Sequence, residues 1–310
     1  MMGKLGKSAI LTVALILFLL GVNLRDAQAT SIEEKALSKR GRKEAIISNL
    51  KAAVSQNDPE AQFNLGSMYF KQGKLAEGRK WWGKAAHQGH SIAQCDLAVI
   101  LTREGRLEEA RKWFEKSANQ GFSKAQRTLG FLFLKERKIK EAKIWYRKAA
   151  SQGSVLAQYG LATILYMEGK KEGAMEWYLR AASQGHPRAQ SDLAELLGRE
   201  GKPQEAKIWY EKSANQGNVL AQFGLGELLA KQGNLSEAKI WLEKAALQGH
   251  SRAQYNLAVL LEKEGKLKEA KAWYEKASHQ KQSPHAQNLR LLRSVQQVVA
   301  KYLNNRGKYE

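Results

Sequence analysis

The sequence has a single cysteine, Cys95, and only four prolines among its 310 residues. One thiol cannot form a disulfide within the chain, so an exported form of this protein must be stabilised by packing alone. The chain also lacks a Walker loop and the motifs His-Glu-x-x-His, Gly-x-Ser-x-Gly and Cys-x-x-Cys. These absences argue against an enzyme of those classes, and the sequence predicts no catalytic residue and no cofactor.

Acidic residues are scarce beside basic ones, with 30 Asp and Glu against 51 Lys and Arg and a net charge of +21. A protein this basic is expected to meet an anionic surface or partner. Apolar residues still make up 43% of the chain, which favours a folded protein over a disordered one.

The N-terminus has the order of a secretory signal peptide, predicted here for residues 1–29. Lys4 and Lys7 precede an apolar run over residues 9–22, and Ala27-Gln28-Ala29 provides a cleavage site. An uncleaved membrane anchor is the alternative, but a spanning helix needs roughly 20 apolar residues. We therefore expect an exported bacterial protein, periplasmic or secreted, with a net charge of +19 and no membrane span after cleavage. Export argues against nucleic acid as the partner.

A 32-residue period organises the rest of the chain. Ala-Gln pairs begin at residues 61, 93, 125, 157, 189, 221 and 253, and tryptophans keep the same step at Trp81, Trp113, Trp145, Trp177, Trp209, Trp241 and Trp273. This spacing predicts seven full repeats over residues 58–281.

Each unit contains two helical patterns separated by glycine. In residues 218–249, Ala221, Leu225 and Leu229 predict a first helix, which Gly233 ends. A second helix follows, with Ala238 and Trp241 on its apolar face. The unit is therefore an αα-hairpin. In the first helix of each unit a small residue directly follows a leucine. We expect these small residues to let neighbouring helices approach closely while the tryptophans fill the space between hairpins. The small residues are Gly66, Ala98, Gly130, Ala162, Ala194, Gly226 and Ala258.

Half-repeats flank the array. Residues 30–57 form an N-terminal segment whose part 42–57 matches a second helix and predicts a capping helix. Residues 282–310 predict a C-terminal capping helix with a basic tail. Such caps are needed because the end repeats of an array expose an apolar face.

The combined pattern, A-x-x-x-L-G/A followed by G-x-L-x-E-A-x-x-W-Y-x-K-A-A-x-Q-G, resembles the Sel-one-like repeat, a relative of the tetratricopeptide repeat. The resemblance covers residues 58–281 in a compact form, without the paired cysteines of some secreted members. It implies an all-α fold, a right-handed superhelical αα-solenoid. It also implies a scaffold that binds other proteins or envelope components. Because the residues that break the repeat assemble no catalytic group, we expect a non-enzymatic scaffold that binds another protein or peptide in the bacterial envelope.

The first helices contain positions that differ from unit to unit, and these predict a partner-binding groove. If first helices line the concave side, as in related repeats, the groove residues are Phe63, Arg127, Phe131, Tyr159, Tyr166, Phe223, Glu227 and Tyr255. The alternative is that half of these aromatic side chains only fill space within the superhelix.

Basic residues are periodic as well. One row follows the aromatic pair of each second helix and predicts a basic ridge: Lys84, Lys116, Lys148, Arg180, Lys212, Lys244 and Lys276. A second row lies near the turn within each hairpin: Lys74, Arg106, Lys138, Lys170, Lys202 and Lys266. Such ridges would suit an anionic envelope polymer as the alternative partner. The simpler interpretation is a solvated face with i, i+4 ion pairs such as Lys239/Glu243.

Two weaker signals remain. Ser-x-x-Lys at Ser48 and Ser278, with Ser-x-Asn at Ser117 and Ser213, leaves β-lactam binding or hydrolysis as a further alternative, although no Lys-Thr-Gly accompanies them. The histidines that precede first helices, His90, His186 and His250, are expected to act in turns or caps, since structural zinc sites want four ligands. No metal site is predicted.

Overall fold

The computed structural model describes residues 54–279, with side chains up to residue 278. Within this range fourteen α-helices follow one another, each of 13 residues, and no strand occurs. In chain order they are α1 Pro59–Lys71, α2 Leu75–His87, α3 Ser91–Arg103, α4 Leu107–Asn119, α5 Ser123–Lys135, α6 Ile139–Ser151, α7 Val155–Met167, α8 Lys171–Ser183, α9 Pro187–Arg199, α10 Pro203–Asn215, α11 Val219–Lys231, α12 Leu235–Leu247, α13 Ser251–Lys263 and α14 Leu267–His279. Odd-numbered helices are the first helices of the repeats and even-numbered ones the second.

The helices start and stop where local chemistry dictates. Pro59, Pro187 and Pro203 each occupy the first helical position, where a missing N–H does no harm. Glycines with positive φ end most helices, as Gly217 and Gly233 do at 82° and 81°. The predicted helical hairpins are therefore confirmed.

The described residues form two compact units, one ending at Arg106 and one beginning at Leu107. In the first unit α1 packs on α2 and α2 on α3. In the second unit each helix from α4 to α14 packs on the next, and α5 also touches α7 as α9 touches α11. This stacking of consecutive helix pairs is an αα-solenoid, as predicted.

The second aromatic of each pair, rather than the tryptophan, fills the space beside the small residue. Tyr146 is 5% exposed, and a Cβ added to Gly130 would lie 2.9 Å from its ring. Leu242 takes the same place beside Gly226, at 2.7 Å. The tryptophans pack at the margin of the core and stay half-buried, so their predicted role as the filling is only partly right.

The glutamine of each Ala-Gln pair is buried and links neighbouring repeats. Gln158 donates to the carbonyl oxygen of Ala150 in the preceding repeat at 3.3 Å, and accepts from Gln184 of its own repeat at 2.7 Å. Gln190 and Gln222 repeat this arrangement. Because a buried amide must be hydrogen-bonded, this position tolerates little besides glutamine.

The predicted C-terminal cap, residues 282–310, lies outside the described residues. Of the predicted N-terminal cap only residues 54–57 are described, with Val54 and Ser55 helical and Gln56 and Asn57 in a turn. Residues 1–29 lie outside them too. In the part of the chain that the structure describes, the helices are too short and too polar to cross a bilayer.

Candidate partner-binding groove

Three predicted groove aromatics stack on the histidine that starts the next repeat. The ring centroids of Phe63 and His90 lie 4.6 Å apart, those of Tyr159 and His186 4.6 Å, and those of Phe223 and His250 4.3 Å. Phe223 is only 7% exposed. At these positions the alternative interpretation holds in part, because the rings build junctions between repeats.

The histidines are helix caps. Nδ1 of His90, His186 and His250 accepts a hydrogen bond from the backbone N–H three residues later, at 3.0 to 3.1 Å. Asn218 caps α11 in the same way through its side-chain oxygen. An accepting Nδ1 carries no proton, so each cap requires a neutral imidazole. The predicted cap role is confirmed, and no cluster of three His, Cys, Asp or Glu suited to a metal occurs within residues 54–279.

Tyr159 also joins two first helices through Asp192. The Tyr159 hydroxyl lies beside the Asp192 carboxyl group. Burial raises the pKa of Asp192 to about 7; the Glu195 carboxylate acts in the same direction, and the Tyr159 hydroxyl and Arg188 act in the other. Burial likewise raises the pKa of Tyr159 above its usual range. A partly buried carboxyl group with a pKa of about 7 thus lies between α7 and α9.

Two further groove residues make polar links between first helices. The Tyr166 hydroxyl accepts from the Arg199 guanidinium at 2.9 Å. Glu227 accepts from Arg252 and from Asn256, both at 3.4 Å. These long contacts leave the Glu227 carboxylate a third exposed.

The remaining groove residues face solvent to different degrees. Phe131 is 48% exposed, with the Lys135 ammonium 4.8 Å from its ring centre, and Tyr255 is 55% exposed. Arg127 is half-buried. The predicted set therefore divides into exposed aromatics, at Phe131 and Tyr255, buried or half-buried residues that connect repeats, and Arg127, which is half-buried.

Sequence reasoning missed Asp192, Arg199 and Asn256. Asp192 and Asn256 belong to a column, two residues after each Ala-Gln pair, that is glycine at Gly160 and Gly224. At Gly224 an added Cβ would lie 2.5 Å from the Tyr210 ring. The alternation between glycine and a polar residue was the available signal.

The basic ridge has a packing role. Each of its seven cations lies 3.9 to 4.5 Å from the centre of the tryptophan ring three residues earlier. Such cation–π contacts contribute about 0.5–1 kcal/mol at exposed sites. The ridge side chains are exposed but already have a partner.

Cys95 is completely buried in α3 and serves as a small apolar filler. Ser117 and Ser213, the serines of the two Ser-x-Asn motifs, are also completely buried. The Ser213 hydroxyl donates to the Pro187 carbonyl at 2.6 Å. Neither serine is placed to attack a β-lactam.

Comparison with protein families matches tetratricopeptide-repeat models to residues 35–88, 127–187, 183–251 and 251–278, and a Sel1 repeat model to residues 91–122. One tetratricopeptide-repeat model alone matches more than half of the chain. No curated protein sequence matches this one.

Solved structures show the same architecture. The protective antigen c5321 of uropathogenic Escherichia coli, which has an SLR fold, is 28% identical with a TM-score of 0.62 over 76% of this chain and 64% of that one. This chain thus spans just under two thirds of that protein. A Sel1 repeat protein from Oxalobacter formigenes is 26% identical, with a TM-score of 0.59 over 76% and 77%. Pseudomonas aeruginosa pilF, 20% identical with a TM-score of 0.53 over 65% and 96%, shares the fold.

Proposed function

Because the chain belongs to the tetratricopeptide-repeat family, in a Sel1-like form, we propose that it is an exported, non-enzymatic scaffold of the bacterial envelope. Repeat proteins of this kind mediate protein–protein interaction. Its partner is another protein or peptide, bound on the exposed face of the first helices.

The observation that carries this proposal is the exposure of Phe131 and Tyr255. Both rings are about half exposed, and both belong to first-helix positions that change identity from repeat to repeat. Aromatic side chains that remain accessible are enriched at interface hot spots. Tyr166 and Glu227 add hydrogen-bonding groups to the same face.

Two alternatives are weaker. Binding of an anionic polymer along the basic ridge would use cations that already lie over tryptophan rings. A β-lactam-binding or hydrolytic activity would use the serine of a Ser-x-x-Lys motif as its nucleophile. Ser278 is exposed, but its hydroxyl donates to the Glu275 carbonyl of its own helix at 2.8 Å, and the Ser-x-Asn serines Ser117 and Ser213 are buried. The first-helix face has neither problem.

Export rests on the order of charges and apolar residues in residues 1–29. Fractionation of cells that produce the full chain should recover it outside the cytoplasm, and N-terminal sequencing should begin at Thr30. Retention in the cytoplasm with an intact N-terminus would remove the envelope from the proposal.

The groove is tested by pull-down from an envelope fraction with two double variants. Phe131→Ala/Tyr255→Ala removes the exposed first-helix rings. Ile144→Ala/Ile208→Ala is the control, because these second-helix side chains are 55% and 51% exposed. We expect the first variant to lose the partner at least tenfold and the control to keep it. Equal retention by both variants would place the binding surface elsewhere.

A further inference from the structure

The turns within the hairpins collect positive charge. In the second compact unit these are five five-residue segments, residues 135–139, 167–171, 199–203, 231–235 and 263–267, which we call the basic turn edge. They contain ten basic and four acidic residues. The rest of residues 107–279 contains nineteen basic and sixteen acidic residues, so the turns carry +6 of the net charge of +9 in this range.

The turns lie along one side of the unit because every hairpin repeats the same orientation. Ion pairs join them to neighbouring repeats: Lys143 of α6 reaches Glu168 in the next turn at 2.6 Å, and Lys239 of α12 reaches Glu264 at 2.6 Å. Arg111 and Glu136 make the same link. Three of the five turns, those of Glu136, Glu168 and Glu264, are therefore each tied to the preceding repeat.

The glutamates of the turns do not neutralise this edge. Glu136, Glu168 and Glu264 each pair with two basic residues, one on the second helix of the preceding repeat and one in the same turn. Glu264, for example, binds both Lys239 and Lys266. The hydrogen bond from Lys138, opposed by partial burial and reinforced by Arg111, lowers the pKa of Glu136. Lys171, Lys231 and Lys263 are exposed, and no ion pair is found for them in the described part of the chain.

Exposed leucines stand among these lysines. Leu267 lies between Lys266 and Lys268 and is 64% exposed, and Leu235 starts α12 with 48% exposure. A hydrated polyanion offers nothing to a leucine side chain. The headgroup region of a bilayer does, since aliphatic side chains insert there while lysines reach the phosphates.

We propose that the basic turn edge is a docking surface for an anionic phospholipid membrane. Lys171, Lys231 and Lys263 contact the headgroups, and Leu235 and Leu267 enter the interface. The edge adjoins the partner-binding face, because Lys135 lies over the Phe131 ring and Arg199 donates to the Tyr166 hydroxyl, whereas the three lysines and two leucines named above take no part in those contacts. This proposal does not depend on the proposed function.

The test uses the full chain throughout, so that any contribution of residues 1–29 is common to all variants. Co-sedimentation is measured with vesicles of equal parts phosphatidylglycerol and phosphatidylcholine, with phosphatidylcholine vesicles alone, and with immobilised dextran sulfate as a polymer. Lys171→Gln/Lys231→Gln/Lys263→Gln is compared with a ridge variant of equal charge, Lys212→Gln/Lys244→Gln/Lys276→Gln. Circular dichroism checks that both remain folded.

We expect the edge variant to lose at least tenfold in partitioning to anionic vesicles, since each lysine near such a surface contributes roughly a fivefold factor. The ridge variant should lose less than threefold. Leu235→Ser/Leu267→Ser should weaken vesicle binding and leave dextran sulfate binding unchanged. Equal losses from edge and ridge variants, or no preference of the wild type for anionic vesicles, would overturn the proposal. Unchanged vesicle binding by the leucine variant would identify the edge as a polymer site instead.

Discussion

The second helices and the first helices of this protein follow different rules. Each of the seven second helices places a cation over its own tryptophan, and the distance from the cation to the ring centre varies only from 3.9 to 4.5 Å. The first helices differ at the residue after each Ala-Gln pair: Phe63, Cys95, Arg127, Tyr159, Ser191, Phe223 and Tyr255.

This difference distinguishes positions that pack the repeats together from positions that are free to bind a partner. A position that repeats seven times serves a contact that every repeat needs, which in a solenoid is packing against the next unit. A position that varies is released from that need, and its side chain is exposed, fills the interior as Cys95 does, or makes a contact found at some junctions only. Tyr159 with Asp192 is an example of the last case.

The largest expected effect comes from comparing the loss of a buried second-helix ring with the loss of an exposed first-helix ring. Tyr178→Ala removes a side chain that is 3% exposed and should lower the free energy of unfolding by about 3–5 kcal/mol. Phe131→Ala removes a ring that is 48% exposed and should change it by less than about 1 kcal/mol. Urea unfolding followed by circular dichroism measures both. Similar losses would mean that the varied positions are structural too.

Asp192→Asn should stabilise the protein in a pH-dependent way. The pKa of Asp192 is about 7 in the folded protein against an ordinary 3.8, so the folded state favours the protonated acid. The stability contributed by this site is present below pH 4 and is lost as the pH rises to 7. The amide stays neutral, so its advantage should grow over that window to about 2–3 kcal/mol at pH 8. Glu141→Gln, a control at an exposed glutamate that does not act on Asp192, should show no such growth in urea unfolding.

Gly224→Ala should be destabilising by about 1–3 kcal/mol, because the new methyl group would lie 2.5 Å from the Tyr210 ring. Gly173→Ala is the matched change in an open place, where the nearest atom is 3.7 Å away. It should stabilise α8 by up to about 1 kcal/mol. Thermal unfolding compares the two, and a gain at both positions would refute the tight packing over Gly224.

The smallest expected effect is that of His186→Asn, which should reduce the loss of stability of the protein at acid pH. Burial, together with Arg188, lowers the pKa of His186, so the folded state favours the neutral ring that caps α9. Stability from this cap is full above pH 6.5 and falls as the pH drops through the lowered pKa. Asparagine caps α11 without titrating. In the variant, stability should decline less steeply as the pH drops below 6.5. An unchanged slope of the free energy of unfolding against pH would contradict the neutral cap.

The fold could be predicted from the sequence because its information is local and repeated. Periodic alanines and leucines, prolines at helix starts and glycines at helix ends indicate every helix between residues 59 and 279. One repeat that is misread is corrected by six others.

The candidate groove could be predicted only in part, because its contacts join different repeats. Phe223 stacks on His250, which follows it by 27 residues, and nothing in helical periodicity relates the two. The charge pattern has the same limit: Lys239 was expected to pair with Glu243 on its own helix, but it reaches Glu264 in the next turn. Lys207 has Gln232 rather than a glutamate at the equivalent position of the next turn, and it pairs instead with its predicted i, i+4 partner Glu211 at 3.7 Å.

The most direct test of the division between the two helix faces is site-specific photocrosslinking in living cells. A photoreactive benzoylphenylalanine is introduced in place of Phe131 or Tyr255 on first helices, and of Ile144 or Ile208 on second helices. All four side chains are about half exposed, so they differ only in the face that they occupy. We predict one discrete adduct from the two first-helix positions and none from the others. Adducts from the second-helix positions alone would contradict the account.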